Sequence, residues 1–189
     1  MKVLVLDNYD SFTYNLVQMI EQIIGEKPDV YRNDEISLDE VSRYDKIVLS
    51  PGPGIPEEAG ILLELIKKYS KEKSIFGVCL GQQAIAEAFG GKLINLKEIF
   101  HGVATNAKTL KTDTKILKNL PENMEVGRYH SWAVDPDYFP AELEITSVDP
   151  EGMIMSLQHK TYDVHAVQYH PESILTPLGR KILENFLLN

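Results

Sequence analysis

Cysteine is nearly missing from this chain: among 189 residues there is one, Cys79. A lone thiol excludes an internal disulfide, which suits a reducing, cytoplasmic location. No tract is apolar for long enough to cross a bilayer, which argues against a membrane protein. The opening run Met1–Leu6 is too short for a secretory signal and meets Asp7 at once, so no leader is expected. Basic residues are in deficit, 19 Lys and Arg against 28 Asp and Glu, for a net charge of -9. Without a basic stripe to track phosphates, nucleic-acid binding is excluded. The acidic residues are scattered and read as a solvated surface. Repeats, low-complexity segments and linkers are absent, so residues 1–189 read as one domain, long enough for a substantial core.

What is present alternates strand and helix signals. Val3 to Leu6 reads as a buried strand. Ser11 to Ile24 carries Phe12, Leu16, Met19, Ile20 and Ile23 at helical spacing and stops at Gly25. Asp29 to Arg32 and Lys46 to Ser50 read as strands, with a helical turn at Leu38 to Ser42 between them. Glu57 to Tyr69 reads as a helix, acidic at its start and basic at its end, as the helix dipole favours. Strand Ser74 to Val78 and helix Gln82 to Phe89 follow. This order predicts an α/β fold with a mostly parallel, doubly wound sheet covered on both faces, hence three layers. After Gly90-Gly91, six short strand-like runs from Leu93 to Gln168 predict an added antiparallel part, with a hairpin turn at Glu151-Gly152. Pro177 to Leu188 reads as a last helix. Loops 7–11, 51–55 and 79–83 all follow first-half strands and should meet at one sheet edge, where sites form in such folds.

Cys79 stands between a strand and a helix, with Gly77 and Gly81 on either side. That pattern matches a strained elbow holding a nucleophile at its apex, and the helix start there favours thiolate. A buried, inert cysteine is the alternative. A cysteine nucleophile needs a histidine partner, which in turn needs an orienting group. Of His101, His130, His159, His165 and His170, the last stands out. It ends the run Val167-Gln168-Tyr169-His170-Pro171-Glu172-Ser173, and Glu172 is close enough to fix its tautomer. By spacing alone, His170 is as readily structural; His165 reads as packing and His159 as a turn residue. Pro51-Gly52-Pro53-Gly54 is a tight turn or a loop whose free amides bind an oxyanion together with the Leu80 amide.

Taken together, GVCLGQQ around Cys79 and VQYHPES around His170 resemble the class I (triad-type) glutamine amidotransferases over essentially the whole chain. The joint occurrence of both motifs is far more specific than either alone. The resemblance implies a flavodoxin-like core, a catalytic triad of Cys79, His170 and Glu172, and neither cofactor nor metal. It implies that Gly52, Pro53 and Gly54 contact glutamine and its oxyanion. Gln83 would meet the substrate through its amide, and Ser131 with Trp132 would hold its charged end. The run Asn8 to Asn15, SPGPG at 50–54 and Arg128-Tyr129-His130-Ser131 are similar to the chorismate-using branch of the family. That branch includes component II of anthranilate synthase and the glutamine-hydrolysing subunit of aminodeoxychorismate synthase. It implies ammonia delivery to a separate chorismate-using synthase subunit, faced by residues 8–15. Two departures stand out: Gln82 replaces a usual histidine, and Phe100 to Thr105 replaces a His-Gly-Lys-polar stretch. Competing readings are a stand-alone thiol hydrolase of gamma-glutamyl amides, a non-catalytic scaffold subunit, and an amidotransferase subunit of another synthase, such as GMP synthase.

Overall fold

Alternate residues of the first strand point into two different cores, and this sets the architecture. In β1 (Val3–Asp7), Leu4 and Leu6 join one apolar cluster while Val3 and Val5 join the other. The computed structural model describes residues 1–111 and 113–189. It adds α1 (Thr13–Ile24), β2 (Asp29–Arg32), α2 (Leu38–Val41), β3 (Lys46–Leu49), α3 (Leu62–Tyr69), β4 (Ser74–Val78) and α4 (Leu80–Ala88). The second half contributes β5 (Leu93–Asn95), β6 (Val103–Thr109), β7 (Asn123–Arg128), β8 (Trp132–Val134), β9 (Leu143–Val148), β10 (Ile154–His159), β11 (Val164–Val167) and α5 (Gly179–Leu188).

Among the described residues, nine strands form one sheet in the order β2-β1-β3-β4-β11-β10-β9-β6-β7. Helices α3 and α4 bury Leu62, Leu65, Ile66 and Ile85 on the face shared with Leu4, Ile47 and Leu49. On the opposite face α1 and α5 bury Leu16, Ile20, Ile182 and Phe186 against Val5, Val48 and Phe76. Phe186 stacks on Phe76 at 5.3 Å between ring centres, fastening α5 to β4. The expected three-layer, doubly wound architecture is therefore present, with an antiparallel extension through β10, β9, β6 and β7.

The second half is not wholly antiparallel, however. Strand β11 pairs parallel with β4, Val164 opposite Ile75 and Val167 opposite Val78. Local sequence shows a short apolar strand there but not the direction of its neighbour. Strand β8 is not expected from the sequence; three residues pairing with the equally short β5 carry no periodicity. The helix expected over 57–69 is divided into a 3-10 turn at Pro56–Glu58 and α3, with Gly60 between them at φ +52°. The helix after the elbow starts at Leu80, earlier than Gln82, because the chain turns within a single residue. The 143–149 and 153–158 runs do form the expected antiparallel pair.

The elbow depends on close backbone packing. A Cβ on Gly77 would lie 2.6 Å from the carbonyl carbon and oxygen of Gly81, and one on Gly81 would lie 2.8 Å from the Leu49 oxygen. These obstacles are main chain and cannot rotate away. Gly77→Ala is expected to lower the urea midpoint by the equivalent of about 1–3 kcal/mol; an unchanged midpoint would contradict the packing described.

Candidate active site

Cys79 is the single residue between β4 and α4, at φ 54°, ψ -101°. A non-glycine residue at positive φ costs about 1–3 kcal/mol and persists only where its surroundings enforce it. Here the Cys79 N–H donates to the Val167 carbonyl at 2.8 Å and its own carbonyl accepts from Gln83 N–H at 3.2 Å. The thiol lies at the N-terminus of α4, whose dipole favours negative charge. Its sulfur lies 3.9 Å from the Tyr129 carbonyl and 3.5 Å from Gln168 Nε2.

Because β11 lies beside β4, the residues after Val167 leave the sheet at the same edge as Cys79. His170 is anchored there through its main chain, its N–H on Gly127 O at 3.0 Å and its carbonyl accepting from Thr176 Oγ1 at 2.7 Å. Its ring sits between Phe12, edge-on at 5.4 Å, and Tyr129 at 4.8 Å. Nδ1 meets Glu172 Oε1 at 2.7 Å, an almost fully buried pair. Nε2 is buried with no hydrogen-bond partner among the described residues. Burial opposes charge on this ring, but the neighbouring Cys79 and the hydrogen-bonded Glu172 outweigh it and raise its pKa to about 10. The ring is therefore an imidazolium at neutral pH, the counter-ion a thiolate needs. Asp10, half-buried near His170, has its carboxyl pushed up chiefly by burial.

A cavity of about 350 Å³ opens on Cys79, lined by Gly52, Pro53, Gly54, Gln83, Ser131 and Trp132 along with Phe100, His101, Tyr129 and His130. All the expected substrate-contacting residues except Leu80 line it. Leu80 is buried and packs beneath the loop: a Cβ on Gly52 would lie 2.7 Å from Leu80 Cδ2. The loop is tethered by Asn8, whose N–H donates to Ser50 Oγ at 2.8 Å and whose Nδ2 donates to the Ser50 carbonyl at 2.9 Å. Asn8 is thus an internal strut, while Tyr9, Ser11 and Tyr14 of the same segment are exposed. Gln83 is buried, its Nε2 donating to the Trp132 carbonyl at 2.8 Å. A second cavity of about 420 Å³, lined by Tyr9, Asp10, Phe12 and His170, also borders Cys79.

Gln82 points away from this chemistry. It is fully buried and donates to the Ile154 carbonyl of β10 at 3.4 Å, so the departure from the family's usual histidine falls outside the sulfur's surroundings. His165 pairs with Asp163, and His159 stacks on Tyr162 at 4.0 Å while accepting turn N–H groups, as their packing and turn readings expected. Sequence reasoning missed Gln168, Tyr129 and the buried Arg128–Asp149 ion pair.

The family model for class-I glutamine amidotransferases matches residues 4–189. The chain belongs to that family. It is 43% identical over 188 residues to the aminodeoxychorismate/anthranilate synthase component 2 of Bacillus subtilis, covering 98% of this chain and 95% of that one. It is 44% identical over 192 residues to the bifunctional protein TrpGD of Thermotoga maritima, covering 98% of this chain but only 32% of that relative's length. A crystal structure from Thermoplasma acidophilum, of a protein described provisionally as one GMP synthase subunit, superposes with a TM-score of 0.86 at 27% identity, covering 98% of this chain and 92% of that one.

The raised pKa fixes the sign of a pH effect. The folded value lies above the ordinary 6.5, so the charged ring contributes stability in full below about pH 6.5, and that contribution is lost as pH rises toward about 10. Urea unfolding should show stability falling with pH across this window more steeply in the wild type than in His170→Asn. Parallel profiles would contradict the charged pair.

Proposed function

We propose that this chain is a glutaminase subunit that hydrolyses L-glutamine to glutamate and delivers ammonia to a separate chorismate-using synthase subunit. The observation that carries the reading is the strained Cys79, with the His170–Glu172 pair at one side and the Gln83–Ser131–Trp132 cavity open on its sulfur. Cys79 thiolate attacks the side-chain carbonyl carbon of glutamine. The Leu80 amide, one of the free N–H groups of a helix start, and the N–H groups of Gly52 and Gly54 in the loop shaped by Pro53 hold the developing oxyanion, each donor contributing ~3 kcal/mol. His170, held by Glu172, gives its proton to the leaving nitrogen, the C–N bond breaks, and ammonia departs. His170 then takes a proton from water, whose oxygen attacks the thioester carbon; the C–S bond breaks and glutamate and thiolate are released. Gln83 contacts the substrate through its amide, and Ser131 with Trp132 hold its charged end, largely by main chain.

The acceptor side rests on likeness to components of anthranilate and aminodeoxychorismate synthases, and one such subunit can serve either pathway. Residues 1–189 act in this reading as one cytoplasmic amidotransferase domain, with no cofactor or metal required for the chemistry. The exposed Tyr9, Ser11 and Tyr14 face the synthase.

Cys79→Ala should abolish glutamate release from glutamine, and His170→Asn should lower kcat by about 10²–10⁴-fold. Hydrolysis persisting in Cys79→Ala would refute the triad. Glutaminase activity should be low for the chain alone and rise when the synthase binds, since association favours the active arrangement. A free chain turning over at the full rate would contradict the partner requirement.

A further inference from the structure

Behind the sulfur runs a chain of buried polar groups that the triad does not use. It starts at the Arg128–Asp149 ion pair, 2.7 Å between nitrogen and oxygen. The Arg128 guanidinium lies 3.5 Å over the Phe100 ring, and its Nε donates to His130 Nε2 at 3.0 Å. A guanidinium has only donors, so His130 Nε2 must accept and its proton must sit on Nδ1. Nδ1 faces the Trp132 carbonyl at 2.8 Å, which it can then satisfy. That same carbonyl meets the side-chain amide of Gln83 at 2.8 Å. A backbone oxygen only accepts, so Gln83 must present its NH₂ end there. Its Nε2 also lies 3.2 Å from the amide of Gln168, which must therefore turn its oxygen toward Gln83. The remaining end of Gln168, its own NH₂, faces the Cys79 sulfur at 3.5 Å.

Building on the triad reading of Cys79, we propose that Gln168 is a further catalytic residue, donating a hydrogen bond to the thiolate, its amide direction fixed through Gln83 by the Trp132 carbonyl. Every link is directional, and no amide along it can flip without setting donor against donor or oxygen against oxygen. His130 is a second donor to the Trp132 carbonyl, and a neutral one. Burial, chiefly, and the neighbouring Arg128 charge lower its pKa to about 4, so it stays neutral throughout the neutral range. The charged groups facing it are Arg128, Asp149 and His170. Those facing the sulfur's partner His170 are Glu172 and Asp10. Gln168 is fully buried, so water does not compete for the donor.

Cys79 is the only cysteine, so thiol chemistry on the intact chain reports on this sulfur alone. The test is the pH dependence of iodoacetamide alkylation, together with ultraviolet thiolate absorbance, in wild type, Gln168→Met, Gln168→Glu, His130→Phe and His170→Asn. Thermal unfolding checks that each variant is folded. Losing a hydrogen bond to a charged group should raise the thiol pKa by about one unit in Gln168→Met, slowing alkylation about ten-fold below that pKa. Gln168→Glu should shift it further, because a carboxylate oxygen then faces sulfur. Gln168→Met should lower kcat more than it raises KM for glutamine, whereas His130→Phe, which leaves the Trp132 carbonyl able only to accept, should shift the titration by less. Titrations of both Gln168 variants that superpose on wild type, while His170→Asn moves, would overturn the inference and leave the triad standing. A His130→Phe shift as large as that of Gln168→Met would overturn the role given to the Trp132 carbonyl. A His170→Asn titration identical to wild type would instead overturn the triad itself.

Discussion

The parallel pairing of β11 with β4 is the constraint from which the site follows. Val167 opposite Val78 brings two strand ends, far apart in sequence, to the same edge of the sheet. The Cys79 N–H is then tied to the Val167 carbonyl, and the next residues of that strand supply Gln168 and His170. An antiparallel β11 would carry His170 to the opposite end of the sheet. The topology rather than any local preference thus assembles the sulfur, the imidazole and the carboxylate. The cost of ordering these buried polar groups is offset by the two apolar clusters that clamp the sheet between α1 with α5 and α3 with α4.

Strain and electrostatics act together at the apex. Cys79 is held at positive φ by main-chain contacts that leave no room for side chains on Gly77 or Gly81. That turn places the sulfur at a helix start, bordering a cavity that His170, held by Glu172, also lines. Each feature alone is weak evidence for a nucleophile. Their convergence on one atom, with a cavity opening beside it, gives the arrangement its chemical meaning.

Much of this was legible in the residues. The β1, β3 and β4 runs declared themselves by unbroken apolarity, and α3 and α5 by their spacing. The elbow was marked by glycines that leave space for its backbone. Cys79 and the His170-Pro171-Glu172 run could be singled out because each combines a reactive group with a strand end. What stayed hidden was non-local. The direction of β11 depends on its partner, not on Val164 to Val167 themselves. Strand β8 exists because β5 is there to pair with it. Gln168 looks like any buried glutamine until the amide of Gln83 is placed beside it, and Arg128 gives no local sign that Asp149 will neutralise it in the core. Gln82 shows the opposite case. It adjoins Gln83 in sequence, yet on a helix consecutive residues point in different directions, and it faces β10.

In the proposed reaction the Cys79 sulfur becomes covalently bonded to the carbonyl carbon of glutamine. Acid quenching during turnover, followed by mass spectrometry of the digested chain, tests this most directly. A glutamyl group on the peptide containing Cys79, appearing and decaying at rates that account for glutamate release, is the predicted result. Glutamate forming while Cys79 stays unmodified, or with the adduct on another residue, would rule out Cys79 as the nucleophile.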